Sequence, residues 1–408
     1  MDIRYPAEAE RYRWHIRAFL AEHLPSDWKG VGMLEGDAYR EFVLAWRRTL
    51  YEHDLIAPAW PAEYGGGGLS HLEQIVLAEE FALAGVPTGT LTDEYGIDMI
   101  GNTLRHLGTE EQKAYFLPRI LSGEIMFCQG FSEPNAGSDL ANLSTKAVLD
   151  GDKWVINGQK IWTSDGLDAN WIFVLARTDP AAAKHHGITL LLVPIDQPGV
   201  ELRPIRMITG QAEFCETFFT DARTARAHVV GAVDGGWKVA MHLLGHERGQ
   251  TAVALPIRFK VDLDRLVELA RGRGRLDDPA FRRRLAWCYS RVAIMRGLGW
   301  RMATRWLRGE APGPEASVFK LIWSEYHVEE TRLALDVIGE EGLLTWGRPP
   351  SAPYLMDDVG APNSTASWQG ALLNSLGGTI YAGSSEVQRN ILGEHLLGLP
   401  REPRPVVA

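Results

Sequence analysis

Cysteine is almost missing from this chain. There are three in 408 residues, Cys128, Cys215 and Cys288, an odd number with no Cys-x-x-Cys spacing. That excludes a disulfide framework and a cysteine zinc site, and the three read as buried thiols in a reducing compartment. Long apolar runs are missing too: the longest, around Ile188–Ile195, is far too short to span a bilayer, so no membrane role is expected. The N-terminus, Met1-Asp2-Ile3-Arg4-Tyr5, lacks the apolar core of a secretory signal, which implies a cytoplasmic location. Positive charge is in deficit. The net charge of −10 argues against a nucleic-acid partner despite local arginine clusters. The four glycines Gly65–Gly68 have no Gly-Lys-Ser/Thr after them, so they read as a flexible connection between helices rather than a phosphate loop. No metal is expected either. Lys184-His185-His186-Gly187 has no Cys or carboxylate at ligand spacing and reads as an exposed turn. His242 and His246 lie one helical turn apart but have no third ligand.

What is present fits a large folded chain, since 408 residues with 45% hydrophobic content can bury two or three domain cores. Residues 1–125 have a helical period. Tyr12, Ile16, Phe19 and Leu20 share a face, as do Leu72, Ile75, Val76 and Leu83, then Ile97, Ile100, Leu104 and Leu107. Thr109-Glu110-Glu111-Gln112 is a capping box, with Phe116 and Ile120 on the buried side of its helix. Strand signals dominate residues 126–234, including the apolar runs 171–175 and 188–193. Residues 235–408 are helical again, and Pro256 is expected to kink or end the first of these helices. The tail from Pro403 to Ala408 reads as disordered. The fold class is α+β multidomain: helical, strand-rich, then helical.

The informative stretch runs from Cys128 to Ser164. Asp150-Gly151-Asp152 and Asn157-Gly158 are turn sequences between β-prone runs, which gives strand, turn, strand. The segment Ser132-Glu133-Pro134-Asn135-Ala136-Gly137-Ser138-Asp139 precedes them as a loop of small hydroxyl and backbone donors. Trp162 follows, with a hydroxyl two residues on at Ser164. Small donors and one large aromatic plate suit a flat, polar-edged cofactor stacked on an indole. A β-hairpin with a capped loop and a core Trp suits the same composition.

The order Ser-Glu-Pro-x-Ala-Gly-Ser-Asp, then Gly-Asp-x-x-x-x-Asn-Gly-x-Lys-x-Trp-x-Ser, resembles the flavin-binding signature of the acyl-CoA dehydrogenases. The resemblance runs in order from Tyr64-Gly65-Gly66 to Val387-Gln388-Arg389-Asn390, nearly the whole chain. It implies three domains, helical, β-barrel-like and a helical bundle, with FAD as cofactor, an acyl-CoA substrate, an electron-transfer flavoprotein as acceptor, and a dimer or tetramer. It also implies site roles. Preorganised donors beside the flavin's pyrimidine edge stabilise its reduced form, and Phe131 and Ser132 match the family's donors there. Trp162 matches the stacking residue and Ser164 the hydroxyl near N5. Ser138 matches a contact to the coenzyme A part of the substrate. Relatives often carry Thr at the places of Ser132 and Ser164, and the hydroxyl is kept here.

Removing hydrogen from an acyl thioester needs a base for the α-proton, and a carboxylate in dry surroundings suits that task. In the common family pattern the base is the Glu of a Tyr-Glu-Gly-Thr motif. The matching stretch here is Tyr381-Ala382-Gly383-Ser384, and alanine cannot take a proton. A minority of relatives, including steroid side-chain types, use the Glu of a Glu-Arg pair on the first helix of the C-terminal domain. Glu247-Arg248 is that pair, which makes Glu247 the expected base and Arg248 a substrate-pocket residue, with Tyr381 and Ala382 lining the same place. Gly339 and Glu340, in Asp336-Val337-Ile338-Gly339-Glu340-Glu341-Gly342, align with a turn at the adenine end. Ser384 and Glu386 match contacts to the diphosphate and ribose. The family's diphosphate arginine has no clear counterpart among Arg271, Arg273, Arg275, Arg282, Arg283 and Arg284. Two alternatives stay open: a flavin oxidase or monooxygenase of the same fold, or one subunit of a hetero-oligomer.

Overall fold

The computed structural model describes residues 5–34, 36–246, 251–310, 313–344 and 368–401. By its contacts the chain forms two compact units. One holds residues 37–74 and 87–247, the other residues 1–36, 75–86 and 248–408.

The first unit is built on an eight-stranded sheet. Its strands are β1 (Phe127–Gly130), β2 (Lys146–Asp150), β3 (Lys153–Ser164), β4 (Trp171–Arg177), β5 (Ile188–Pro194), β6 (Val200–Ile205), β7 (Phe214–Ala225) and β8 (Val229–Val230). The order is β6-β7-β3-β2-β4-β5-β8, with β1 alongside β4. Both apolar runs expected as strands became strands, and residues 172–176 of β4 and 188–193 of β5 are fully buried. An unbroken apolar run is what a strand covered on both faces requires. On one face Ile172, Val174, Leu191 and Val193 pack with Ile156 and Phe219. On the other, Phe173 packs edge to face on Phe131, with Phe127 and Tyr95 beside it.

Asp150-Gly151-Asp152 does turn β2 into β3, with Gly151 at φ +63°. Asn157-Gly158 does not turn. It lies inside β3, where the register against β7 shifts between Ile156 and Gly158. The long β7 supplies a continuous partner, so the turn-prone pair becomes a bulge instead of a chain reversal. Gly158 is required there: at φ +152° a Cβ would stand 2.6 Å from the Thr145 hydroxyl and 2.7 Å from the Thr145 Cα.

The helix Glu110–Ser122 starts with the expected capping box, Gln112 N–H donating to Thr109 Oγ1 and Thr109 N–H to Gln112 Oε1. Gln112 also donates to the carbonyls of Ala227 and Val229 at 2.7 Å each, tying the helix to the end of the sheet. Of the expected helical faces, Ile97, Ile100 and Leu104 are buried, but Leu83 and Leu107 are exposed. Both stand in the last turn of their helices. The glycine run is no loose connection. Gly66, Gly67 and Gly68 donate to the carbonyls of Pro61, Ala57 and Trp60, and a Cβ at Gly66 would fall 2.3 Å from Trp60. Close backbone approach is why glycine stands there.

The second unit contains the helices Thr251–Gly272, Pro279–Leu307, Glu315–Ile338, Trp368–Gly378 and Ser385–Ile391. Their core includes Phe259, Leu263, Leu266, Met295, Tyr326 and Leu333. The helix Ala7–His23 belongs to this unit, with Arg13 buried between Glu79 and Glu80 at 2.9 and 2.6 Å. Pro256 does not end its helix, which runs on to Gly272. Proline removes one bond, the one its own N–H would give to the Ala252 carbonyl. That carbonyl instead meets Gly299 of the neighbouring helix, where a Cβ would come within 2.3 Å of it. The tail after Arg401 lies outside the described residues.

Candidate active site

The loop after β1 is held by a buried ion pair that the sequence reading passed over. Lys160 Nζ, with no exposed surface, donates to Glu133 Oε1 at 2.8 Å and to the Phe131 carbonyl at 3.1 Å. Glu133 is buried as well and accepts from Ser144 N–H and Oγ at 2.7 Å each and from Thr145 N–H at 2.9 Å. The two partners do not gain equally. Burial works against the charge on Glu133, but Lys160 and the three further donors outweigh it and hold the carboxyl at about 2. For Lys160 burial is the larger effect, and the ammonium is lowered to about 8 in spite of Glu133. The same loop closes on itself through paired backbone bonds between Glu133 and Ala136, and Ser132 O accepts from Ile161 N–H at 2.9 Å. Ser132 is half-buried, and among the described residues neither its N–H nor its hydroxyl makes a hydrogen bond within the protein. Phe131 is buried, and Ser138 is exposed at the loop's outer end beside the Asp139–Lys184 ion pair.

Trp162 is not in the core. Its indole is 55% exposed, its φ is +61°, and the ladder to β7 slips between Lys160 and Thr163. A left-handed backbone is costly for a bulky residue, and such strain gathers at functional sites. The bulge moves Thr163 into the inward place, where it bonds Thr217 at 2.9 Å, and turns the indole outward against the edge of Phe214. Ser164 ends the strand opposite Phe214. Past it, Asp165 and Glu213 are joined by a 2.9 Å backbone bond and carry carboxyls with buried, unpartnered oxygens among the described residues. Burial first, then the charge of Asp168, pushes Asp165 up to about 7, and burial with the charge of Asp165 pushes Glu213 up to about 8. No sequence motif marked this pair.

In the second unit Tyr381 packs near Trp323, and Ala382 is exposed with φ +52°. The Ala382 carbonyl accepts from Gln388 Nε2 at 3.0 Å. Ser384 caps the helix Ser385–Ile391, its Oγ accepting from Val387 N–H, and Glu386 is exposed in that helix's first turn. Gly339, at φ +67°, ends the long helix Glu315–Ile338, and Glu340 is exposed after it. Of the arginines, Arg284 pairs with Glu329 and Asp336, Arg273 with Glu341, Arg271 with Glu268 and Arg275 with Asp278. Asp336 is thus engaged by Arg284. Glu247 and Arg248 lie outside the described residues. His242 packs edge to face on His106, and no group of His, Cys, Asp or Glu among the described residues is arranged to hold a metal. All three cysteines are buried and free, and no described helix is long and apolar enough to cross a membrane.

The N-terminal, middle and C-terminal domain models of acyl-CoA dehydrogenase match residues 6–124, 128–243 and 234–397. The chain belongs to the acyl-CoA dehydrogenase family. It is therefore an oxidoreductase with the family's helical, sheet and helical domains, and the family's members are flavoproteins. Among its relatives, acyl-CoA dehydrogenase IpdE1 of Mycobacterium tuberculosis is 42% identical over 97% of this chain and 99% of its own. Acyl-CoA dehydrogenase FadE26 of the same organism is 33% identical over 99% and 100%. The Tcur3481-Tcur3483 steroid ACAD superposes with a TM-score of 0.81 at 36% identity, covering 98% of this chain and all of that one. The ChsE4-ChsE5 complex from Mycobacterium tuberculosis superposes at 0.78 with 32% identity and the same coverage.

Proposed function

We propose that this dehydrogenase binds FAD and converts an acyl-CoA thioester to its trans-2-enoyl-CoA, with Glu247 taking the α-proton. The observation that carries the reading is the pairing of an outward-turned Trp162 with the unpartnered donors of Ser132 on one loop and strand of the sheet unit. A flavin fits that set: a flat ring for the indole face, and acceptor atoms for an N–H and an O–H that find no protein partner. Bound FAD supplies the acceptor for the substrate's β-hydrogen. The chain's own residues do the rest. Phe131 and Ser132 give donors to the pyrimidine edge, Trp162 stacks, and the Ser164 hydroxyl lies toward N5. Gly339, Glu340, Ser384 and Glu386 serve the adenosine and diphosphate side. Ser138 and Arg248 hold the substrate, and Tyr381 and Ala382 line its place. The exposed methyl of Ala382 offers no base, which leaves the proton to Glu247.

The working domain boundaries are 1–125, 126–234 and 235–408, the electron acceptor is an electron-transfer flavoprotein, and the chain acts as a homodimer or homotetramer. A second reading, half of a mixed assembly, is favoured by two solved neighbours named as pairs, Tcur3481-Tcur3483 and ChsE4-ChsE5. The first of these, named as a steroid ACAD, favours a bulky steroid-type acyl group. E247Q tests the mechanism: it should keep the bound yellow cofactor and lose bleaching by substrate, and full bleaching by E247Q refutes the role. FAD per protomer of the chain purified alone separates the assemblies. A full complement supports the homo-oligomer, and an apoprotein supports a missing partner.

A further inference from the structure

The Lys160–Glu133 pair does more than fill the core beneath the loop. The carbonyl that Lys160 touches and the N–H that Ser132 presents belong to one peptide unit, Phe131–Ser132. A charged donor on the oxygen of an amide draws electron density from its nitrogen and strengthens the N–H on the far side, an effect enlarged in a low-dielectric interior. The geometry is fixed from every direction. Glu133 holds the ammonium at 2.8 Å, Ser144 and Thr145 hold Glu133, and Ile161 holds the Ser132 carbonyl. A pair meant only for stability would have no need to aim the ammonium at this particular carbonyl.

We propose that Lys160 is a positioning residue for the flavin: its ammonium polarises the Phe131–Ser132 peptide, so that the Ser132 N–H favours the reduced, more electron-rich cofactor over the oxidised one. This rests on the reading that the flavin's pyrimidine edge meets Ser132. Lys160 itself touches neither flavin nor substrate.

The test is the two-electron potential of the bound flavin in the holoenzyme and in K160M, K160Q and K160R, by anaerobic dye equilibration. K160M and K160Q should retain FAD but favour the reduced form at least tenfold less, a shift of about 30 mV to more negative potential. K160R, which keeps the charge, should stay within that margin of wild type. A folded K160M with the wild-type potential overturns the proposal. Should the substitutions fail to fold, the wild-type apoprotein still decides. Phe131-Ser132 is the sole Phe-Ser step in the sequence, so ¹³C-carbonyl-Phe with ¹⁵N-Ser labelling isolates this one peptide. Its amide proton should resonate downfield of an ordinary loop serine, and an unshifted resonance overturns the proposal. A wild-type protein that takes up no flavin would instead sink the functional reading.

Discussion

Cutting the buried pair from its two sides should not cost the same. E133A leaves the Lys160 ammonium buried with one carbonyl for company, and breaking a buried pair in this way costs about 3–5 kcal/mol. It also strips the acceptor from the buried Thr145 N–H, and a buried donor left unmet costs roughly 1–3 kcal/mol. K160M leaves Glu133 with three of its four donors and puts an apolar chain of similar length into a site with no exposed surface. Its cost should be about 1–3 kcal/mol, the scale of a lost charge-assisted bond. At roughly 2–4 °C per kcal/mol for a unit of this size, E133A should lower the sheet unit's transition by about 8–32 °C and K160M by less than half as much. Differential scanning calorimetry of the two single variants and the double variant reads this directly. If K160M proves as damaging as E133A, Glu133 is not the hub of the loop and the reasoning fails.

Other outcomes follow from the same geometry. Glu133 is held below its unfolded value, so its stabilisation is complete above the unfolded pKa of about 4.3. It fades as pH falls through about 2. Urea titrations should show the wild type's advantage over E133A shrinking from pH 5 to pH 2.5, and a constant gap would contradict the assignment. W162G removes an exposed indole and relieves a left-handed backbone. Apoprotein stability should hold or rise by about 0.5–1 kcal/mol, while FAD dissociates at least tenfold more readily by fluorescence titration. Weaker folding with unchanged FAD affinity would return Trp162 to a packing role. G158A should destabilise by about 1–3 kcal/mol, the scale of forced overpacking, because Thr145 backbone and side chain both stand within 2.8 Å of the added carbon. Unchanged denaturant midpoints would show that the bulge can open at no cost.

How much of this was readable beforehand depended on whether the deciding partner was near in sequence. The capping box at Thr109 and the runs that became β4 and β5 are local signals, and they appear as read. Asn157-Gly158 carries a turn signal that a distant strand overrides, and only β7 decides between turn and bulge. Pro256 carries a helix-ending signal, yet it stands inside a helix that runs from Thr251 to Gly272. For the ion pair a faint signal existed. Strict alternation from Trp154 and Ile156 points Lys160 inward, and a lysine there demands a carboxylate. The same alternation would have sent Trp162 inward too. The family signature marks Trp162 without saying why it faces outward.

One extra residue in β3 thus sets the backbone on which the indole stands. The consequence is that strand length, and not side-chain identity, is the vulnerable quantity here. Deleting Ile161 would close the bulge: Lys160 and Thr163 would stay inward and the indole outward, but on a regular ladder without the left-handed φ of +61° that aims it. Insertions and deletions in this short span should therefore be far less forgiving than any conservative exchange at the residues around it.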